Sequence, residues 1–213
     1  MPDPGEGVPR AVLLAAGQGS RLGGRPKGSL RIAGVTLIER LAHGLRDAGI
    51  HEIAIVLGPY LDTMLPIAER AGLQVLRHAA PMPSRIDSQR LAISHHASTA
   101  PAHAPLWLVL ADLPWLAATQ FRAVAEAWAQ RPPGAQMMVP TVGASRGHPV
   151  VLGPHAVRLI DARTGLGVRQ AMQGDDLRVW RWRTADPAHI RDLDTAQDIQ
   201  CLSQALAPAS VDW

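Results

Sequence analysis

The sequence predicts an α/β domain: a mostly parallel sheet with helices on both faces. Two observations carry this expectation. Short apolar runs alternate with helix-period segments through the first 130 residues, and strands separated by helices join in parallel. The runs are also apolar at consecutive positions, as strands covered from both sides must be.

The elements follow in order. Residues 12–15 form the first strand. Thr36-Leu-Ile-Glu39 has the spacing of a capping box, so a helix opens there and runs to Ala48, with Gly49 as its stop. Residues 52–57 are the second strand. Residues 61–71 read as a helix that Pro66 kinks or shortens, because proline lacks the N–H for the preceding turn. Residues 73–76 are a strand, 84–97 a helix, 106–110 a buried strand and 117–130 a helix. Beyond these, 137–142 and 150–152 read as strands around a Gly/Ser/Arg-rich loop, 165–172 as a short helix and 177–183 as a strand. Thr195 opens the last helix, with Asp198 as its capping acid. The expected organisation is one domain over 10–207, between a flexible tail at 1–9 and a C-terminal tail at 208–213.

Composition narrows the function classes. Hydrophobic residues make up 47% of the chain and charged residues 18%, which excludes a disordered protein. No apolar run approaches the ~20 residues of a membrane span. The opening residues 1–7 are acidic and turn-rich, without the basic and apolar parts of a signal peptide, so a cytoplasmic protein is expected. The lone Cys201 excludes an internal disulfide and a cysteine zinc site. On its apolar stretch it is expected to be a buried small hydrophobe. A net charge of +3 suits anionic small molecules. Arg178-Val-Trp-Arg-Trp-Arg183 interleaves cations with aromatics. It reads as an amphipathic strand with arginine stems over tryptophan faces, not as a platform for single-stranded bases. Neither a nucleic acid nor a membrane is expected as partner.

Ligands of an open α/β sheet bind beyond the carboxyl ends of its strands. Three motifs fall there: the loop after the first strand, Asp112 after 106–110, and Asp192 with Asp194 after 177–183. The loop reads Leu14-Ala-Ala-Gly-Gln-Gly-Ser-Arg-Leu-Gly-Gly-Arg-Pro-Lys27, and Lys27 is the only lysine in the chain. Glycines let backbone N–H groups approach phosphate oxygens, and Arg21 and Lys27 can neutralise their charge. An ammonium is a compact point charge that a guanidinium fork does not replace. Two common phosphate loops are excluded by spacing. The dinucleotide fingerprint needs glycine where Leu22 stands, and the Walker loop needs glycine where Pro26 precedes Lys27.

These motifs together resemble the nucleotidyltransferases that activate small phosphorylated substrates. Leu14-Ala-Ala-Gly-x-Gly-x-Arg-x-Gly, Pro26-Lys27 and Gly34-x-x-Leu37-Ile38 are similar to that superfamily's signature. Arg85-x-x-Ser88 resembles its base-binding segment and Ala111-Asp-Leu-Pro114 its metal-binding aspartate. Gly147-His-Pro-Val150, Gly165-x-Gly-x-Arg169 and Asp192-Leu-Asp-Thr-Ala-Gln-Asp198 resemble the branch that makes molybdenum-cofactor dinucleotides. The resemblance spans about residues 11–206, and departs from it at Ala92, Gln197 and the Pro81-Met-Pro-Ser84 stretch.

The resemblance implies a three-layer, Rossmann-like nucleotidyltransferase fold that transfers CMP from CTP to molybdopterin, with Mg²⁺ as cofactor. Lys27 and Arg21 would act on the triphosphate. Leu14, Ala15, Ala16, Gly17, Gly19, Ser20, Arg85 and Ser88 would bind the nucleotide, with Asp87 beside Ser88 on the base edge. Asp112 and Asp194 would hold the metal, Asp194 preferred over Asp192 because it precedes Thr195. His148, Arg163 and Arg169 would bind the anionic acceptor. A methyl at Ala16, where related guanylyltransferases carry glycine, would favour a pyrimidine. A molybdoenzyme or its chaperone would receive the product. The alternatives are cytidylyl or guanylyl transfer to a sugar phosphate or methylerythritol phosphate, and a non-catalytic nucleotide-binding relative.

Overall fold

The computed structural model describes residues 7–78 and 83–213. Residues 1–6 of the tail expected at 1–9 and the Pro81-Met82 part of the altered stretch lie outside the described residues. The strands are β1 (Arg10–Ala15), β2 (Arg31–Ile32), β3 (Val35–Thr36), β4 (Ile53–Leu57), β5 (Gln74–Arg77), β6 (Leu106–Leu110), β7 (Met137–Val142), β8 (Ser145–Arg146), β9 (Val150–Leu152), β10 (Val179–Arg183) and β11 (Val211–Asp212). The helices are α1 (Leu37–Asp47), α2 (Leu61–Arg70), α3 (Arg85–Thr99), α4 (Ala118–Ala129), α5 (Pro154–Ala162), α6 (Val168–Ala171) and α7 (Ala196–Leu206).

The main sheet has the order β10-β7-β9-β6-β1-β4-β5, with β8 paired to β7. It is mostly parallel: β1 pairs in parallel with β4 and β6, β4 with β5, and β10 with β7. The exceptions are β8, antiparallel to β7, and β9, antiparallel to both β6 and β7. The cause of the β9 reversal is local. A parallel return needs a crossover of a dozen or more residues, and the connection 143–149 is too short for one.

Consecutive residues of one strand feed two cores. Ala11 and Leu13 of β1 join Ile53, Ile55 and Leu57 of β4 under α1, α2 and α4. Val12 and Leu14 join Ala54 and Val56 on the other face, under α3 and α5. Full burial of such a side chain contributes about 1.5–3 kcal/mol, and Leu13, Ile55 and Val56 are all 0% exposed. The predicted capping box of α1 is present, with Thr36 and Glu39 exchanging hydrogen bonds. That of α7, between Thr195 and Asp198, is present too. Helix α2 passes through Pro66 and ends at Arg70.

Several expectations need correction. Cys201 is exposed: the inward stripe of α7 is Ile199, Leu202 and Leu206, and Cys201 sits one residue, about 100°, off that stripe. Trp180 and Trp182 of β10 pack on the first core while Arg181 and Arg183 are exposed. Strand alternation therefore puts cations and rings on opposite faces instead of stacking them. The terminal segment also pairs back: β11 is antiparallel to β2, and Arg25 stands 5.6 Å over the Trp213 ring. Helix α5 had no counterpart in the sequence reading. No helix of the described residues is long and apolar enough to cross a membrane.

Candidate active site

Chain order reverses beside β1, which has β4 on one side and β6 on the other. A cleft opens there, beyond the carboxyl ends of these strands, as the fold class requires. Leu14, Ala15, Ala16, Gly17, Lys27, Arg85, Ser88, Asp112 and Asp194 all line it, with Asp192. A second cavity lies at the opposite ends of the strands. Its Arg10, His95 and His96 are already engaged by Thr99, Gln74 and Ala104.

The glycine loop is held tightly. Gly19 is left-handed (φ 55°), and its carbonyl accepts from Leu22 N at 2.8 Å and Gly24 N at 3.1 Å. A β-carbon at Gly19 would run into the Arg25 carbonyl. The Tyr60 hydroxyl donates to the Gln18 carbonyl at 2.5 Å, tying the loop to the start of α2. A side chain at Gly58 would come within 3.0 Å of the Ala16 backbone and methyl. The Ala16 methyl thus rests against β4's exit as well as lining the cleft, and Ala16 is only 7% exposed. Gly19, Ser20 and Arg21 do not line the cleft.

Lys27 ends the loop and reaches across the cleft. Its Nζ donates to Asp112 Oδ2 at 2.9 Å and to Asp194 Oδ1 at 2.5 Å. Arg21 adds a 3.2 Å ion pair to the other Asp194 oxygen. The Asp194 segment is docked by a backbone bond from Leu193 N to the Asp112 carbonyl, 3.0 Å. Leu193 is buried, so alternation turns Asp192 and Asp194 to the same side. Burial works against the Lys27 ammonium, but the two carboxylates outweigh it and raise its pKa. The Lys27 hydrogen bond holds Asp194 below the usual carboxylate range. Burial, with Asp112 and Asp194 adjacent, pushes Asp192 above it.

Asp112, Asp192 and Asp194 each place a carboxylate oxygen within 4.8 Å of the others. Asp112 Oδ1 is buried without a hydrogen-bond partner among the described residues. An orphaned carboxylate oxygen among three carboxylates is the donor set a hard divalent cation takes. The preference for Asp194 over Asp192 finds no support in this arrangement, because both belong to the cluster.

At the neighbouring wall, Ser84 caps α3. Its hydroxyl accepts from Asp87 N, and the Asp87 carboxylate accepts from Ser84 N at 2.8 Å. Asp87 engages Oδ2 in this capping box and does not line the cleft. Ser88 is 5% exposed and lies 3.2 Å from His78 Nε2. The sequence reading missed His78, since nothing local marks it.

The acceptor candidates are less gathered. His148 sits in a loop pinned by His189: His148 N donates to the His189 carbonyl at 2.9 Å, and His189 Nδ1 donates to the His148 carbonyl at 2.7 Å. His148 Nδ1 donates to the Leu108 carbonyl at 3.2 Å. Burial holds the ring below its usual pKa. In the neutral ring Nδ1 carries the proton, which leaves Nε2 as an acceptor. Arg163 is paired with Asp176 on the surface, and Arg169 is exposed on α6. None of the three lines the cleft.

Comparison with known proteins agrees with this architecture. A family model described as a MobA-like NTP transferase domain matches residues 11–179. The chain is 31% identical over 207 residues to nicotine blue oxidoreductase of Paenarthrobacter nicotinovorans, covering 91% of this chain and 92% of that protein. It is 38% identical over 86 residues to 2-C-methyl-D-erythritol 4-phosphate cytidylyltransferase of Saccharopolyspora erythraea, covering 39% of this chain and 38% of the other. Among solved structures, Rv0371c of Mycobacterium tuberculosis H37Rv in complex with manganese shares the fold, with a TM-score of 0.70 at 20% identity over 93% of this chain and 100% of that one.

Proposed function

The chain belongs to the family of MobA-like NTP transferases, and from that premise we propose that it transfers CMP from CTP to the phosphate of molybdopterin. The observation that carries the reading is the single lysine, placed at the end of a glycine loop and bridging two carboxylates of a three-carboxylate cluster. In this reading an acceptor phosphate oxygen attacks the α-phosphorus. The bond to the α,β-bridging oxygen breaks, and pyrophosphate leaves with the electron pair. The nucleophile is already anionic, so no general base is required.

The chain's residues supply position and charge. Backbone N–H groups of the glycine loop face the phosphates. Lys27 exchanges its carboxylate partners for phosphate oxygens, with Arg21 on the outer side, and offsets the charge that grows on the leaving group. Asp112, Asp192 and Asp194 would hold a divalent cation, Mg²⁺ in this reading, which supplies further neutralisation of the phosphoryl oxygens when bound. Ser88 and Arg85 face the base. Arg169 and His148 are kept as acceptor contacts, His148 through its Nε2 lone pair. A molybdoenzyme or its chaperone receives the product.

Pyrophosphate release with CTP, GTP, UTP and ATP, each paired with molybdopterin, methylerythritol phosphate or a sugar phosphate, tests the reading. The expected result is turnover with CTP and molybdopterin, with CTP over GTP by about tenfold or more in kcat/KM, equivalent to roughly 1.4 kcal/mol. Turnover with another phosphorylated acceptor alone moves the assignment there, in keeping with the partial match to a cytidylyltransferase. A second reading rests on the full-length relative named as an oxidoreductase. A reduced nicotinamide dinucleotide carries a pyrophosphate that the same loop could hold. Its oxidation by an added electron acceptor, without pyrophosphate release from any triphosphate, would favour that reading.

A further inference from the structure

Among the described residues the Ser88 hydroxyl has two polar neighbours: the Ser84 carbonyl at 3.2 Å and His78 Nε2 at 3.2 Å. A carbonyl only accepts, so the one hydroxyl proton goes to Ser84. The contact with His78 is then a hydrogen bond only when Nε2 carries the proton and donates to Ser88 Oγ. The opposite tautomer would set two lone pairs against each other. Burial holds the His78 ring below its ordinary pKa, against the pull of Asp87, which keeps a neutral imidazole with that single N–H. With one proton given and one received, Ser88 has only a lone pair to offer the cleft it lines.

We infer that His78 is a positioning residue that fixes Ser88 as a hydrogen-bond acceptor toward the base, so that the cleft selects a nucleobase presenting an amino group there, cytosine's 4-amino rather than uracil's 4-oxo. The inference rests on reading this cleft as the nucleotide site. Its physical basis is asymmetry. An acceptor facing an acceptor leaves both groups unpaired in a confined site, and such mismatches discriminate more strongly than shape. The direction of one hydroxyl therefore separates bases that differ little in volume.

Titration calorimetry of the full chain with Mg²⁺ and CTP or UTP tests it, on wild type, His78→Phe, His78→Gln, Ser88→Ala and the His78→Phe/Ser88→Ala pair. Wild type is expected to bind CTP about tenfold or more tighter than UTP. His78→Phe, which keeps the bulk and removes the donor, should bring the two within about threefold. His78→Gln retains an N–H and should restore the preference. Ser88→Ala should lose it, with no further change on adding His78→Phe. Equal weakening of both nucleotides by His78→Phe, or the same change of ratio in the Ser88→Ala background, overturns the inference. Wild type binding CTP and UTP equally also overturns it, while pyrophosphate release with molybdopterin would still stand. Binding of no triphosphate at all removes the nucleotide reading itself.

Discussion

The Lys27 ammonium stands 2.9 Å from an Asp112 carboxylate oxygen and holds Asp194 with the same nitrogen. It ties together the glycine loop, the end of β6 and the segment before α7. Within the cluster it provides the positive charge that three carboxylates require. On the proposed reading, a cation arriving with a nucleotide would compete for the same oxygens and release Lys27 toward the phosphates.

Replacing Lys27 should separate these two roles. Lys27→Ala is expected to abolish pyrophosphate release, and Lys27→Arg to rescue it poorly, because a planar fork does not fit where a point charge sits. Without nucleotide, Lys27→Ala should bind Mn²⁺ more tightly than wild type, since its competitor is gone. Electron paramagnetic resonance of free Mn²⁺ reads this directly. Retained turnover in Lys27→Ala would show that the lysine is structural.

The three carboxylates should not be equal. Asp112→Asn removes the oxygen that is buried without a partner and is expected to cost about 100-fold or more in divalent-dependent turnover, near 2.7 kcal/mol. Asp194→Asn should cost a similar amount, and Asp192→Asn less, because Asp192 is the most exposed of the three. A metal titration of turnover checks the order. If Asp192→Asn proves the most damaging, the cation is held mainly there.

Gly19→Ala probes the loop. The left-handed backbone and the Arg25 carbonyl leave no room for a β-carbon. The expected outcome is a loss of nucleotide affinity with a far-ultraviolet circular dichroism spectrum like that of wild type. Unchanged calorimetric affinity for CTP would mean that the loop tolerates rearrangement.

Stability should fall on mild acidification. Burial holds His96 and His148 below the ordinary imidazole pKa of 6.5. Below pH 6.5 the unfolded chain takes up protons that the folded chain refuses, so stability is full above that value and declines as pH drops toward the folded pKa values. His96 Nε2 donates to the Ala104 carbonyl at 3.0 Å. His96→Gln keeps a donor and removes the titration, so its melting temperature should fall less between pH 7 and pH 5 than that of wild type. Parallel curves would place the acid sensitivity elsewhere.

The fold was largely legible because its signals are local. Apolar runs such as 106–110 and capping pairs such as Thr36–Glu39 act within a few residues. Two-residue strands such as β2, β3 and β11 carry too little pattern to read. Helix α5 offered a proline at its first turn and an apolar Val157–Ile160 spacing, a weak signal beside the strand it follows. In the site, Lys27, Asp112 and Asp194 announced themselves by residue type after a strand or glycine loop, and they meet in one cleft. Tyr60 against Gln18 joins segments 42 residues apart, brought together by the pairing of β1 with β4; His78 and Ser88 are ten residues apart, with no local period to link them. Asp87 stands three residues after Ser84, the spacing of a capping box, and the structure places it in that cap.

The hydrogen bond from Tyr60 to the Gln18 carbonyl makes the molecule its own reporter. Tyr60 is the only tyrosine in the sequence. Incorporation of 3-fluorotyrosine therefore yields one fluorine resonance, seated against the glycine loop and outside the carboxylate cluster. Its shift and line width follow the loop's motion through each stage of ligand addition, with no engineered label and no second signal to assign.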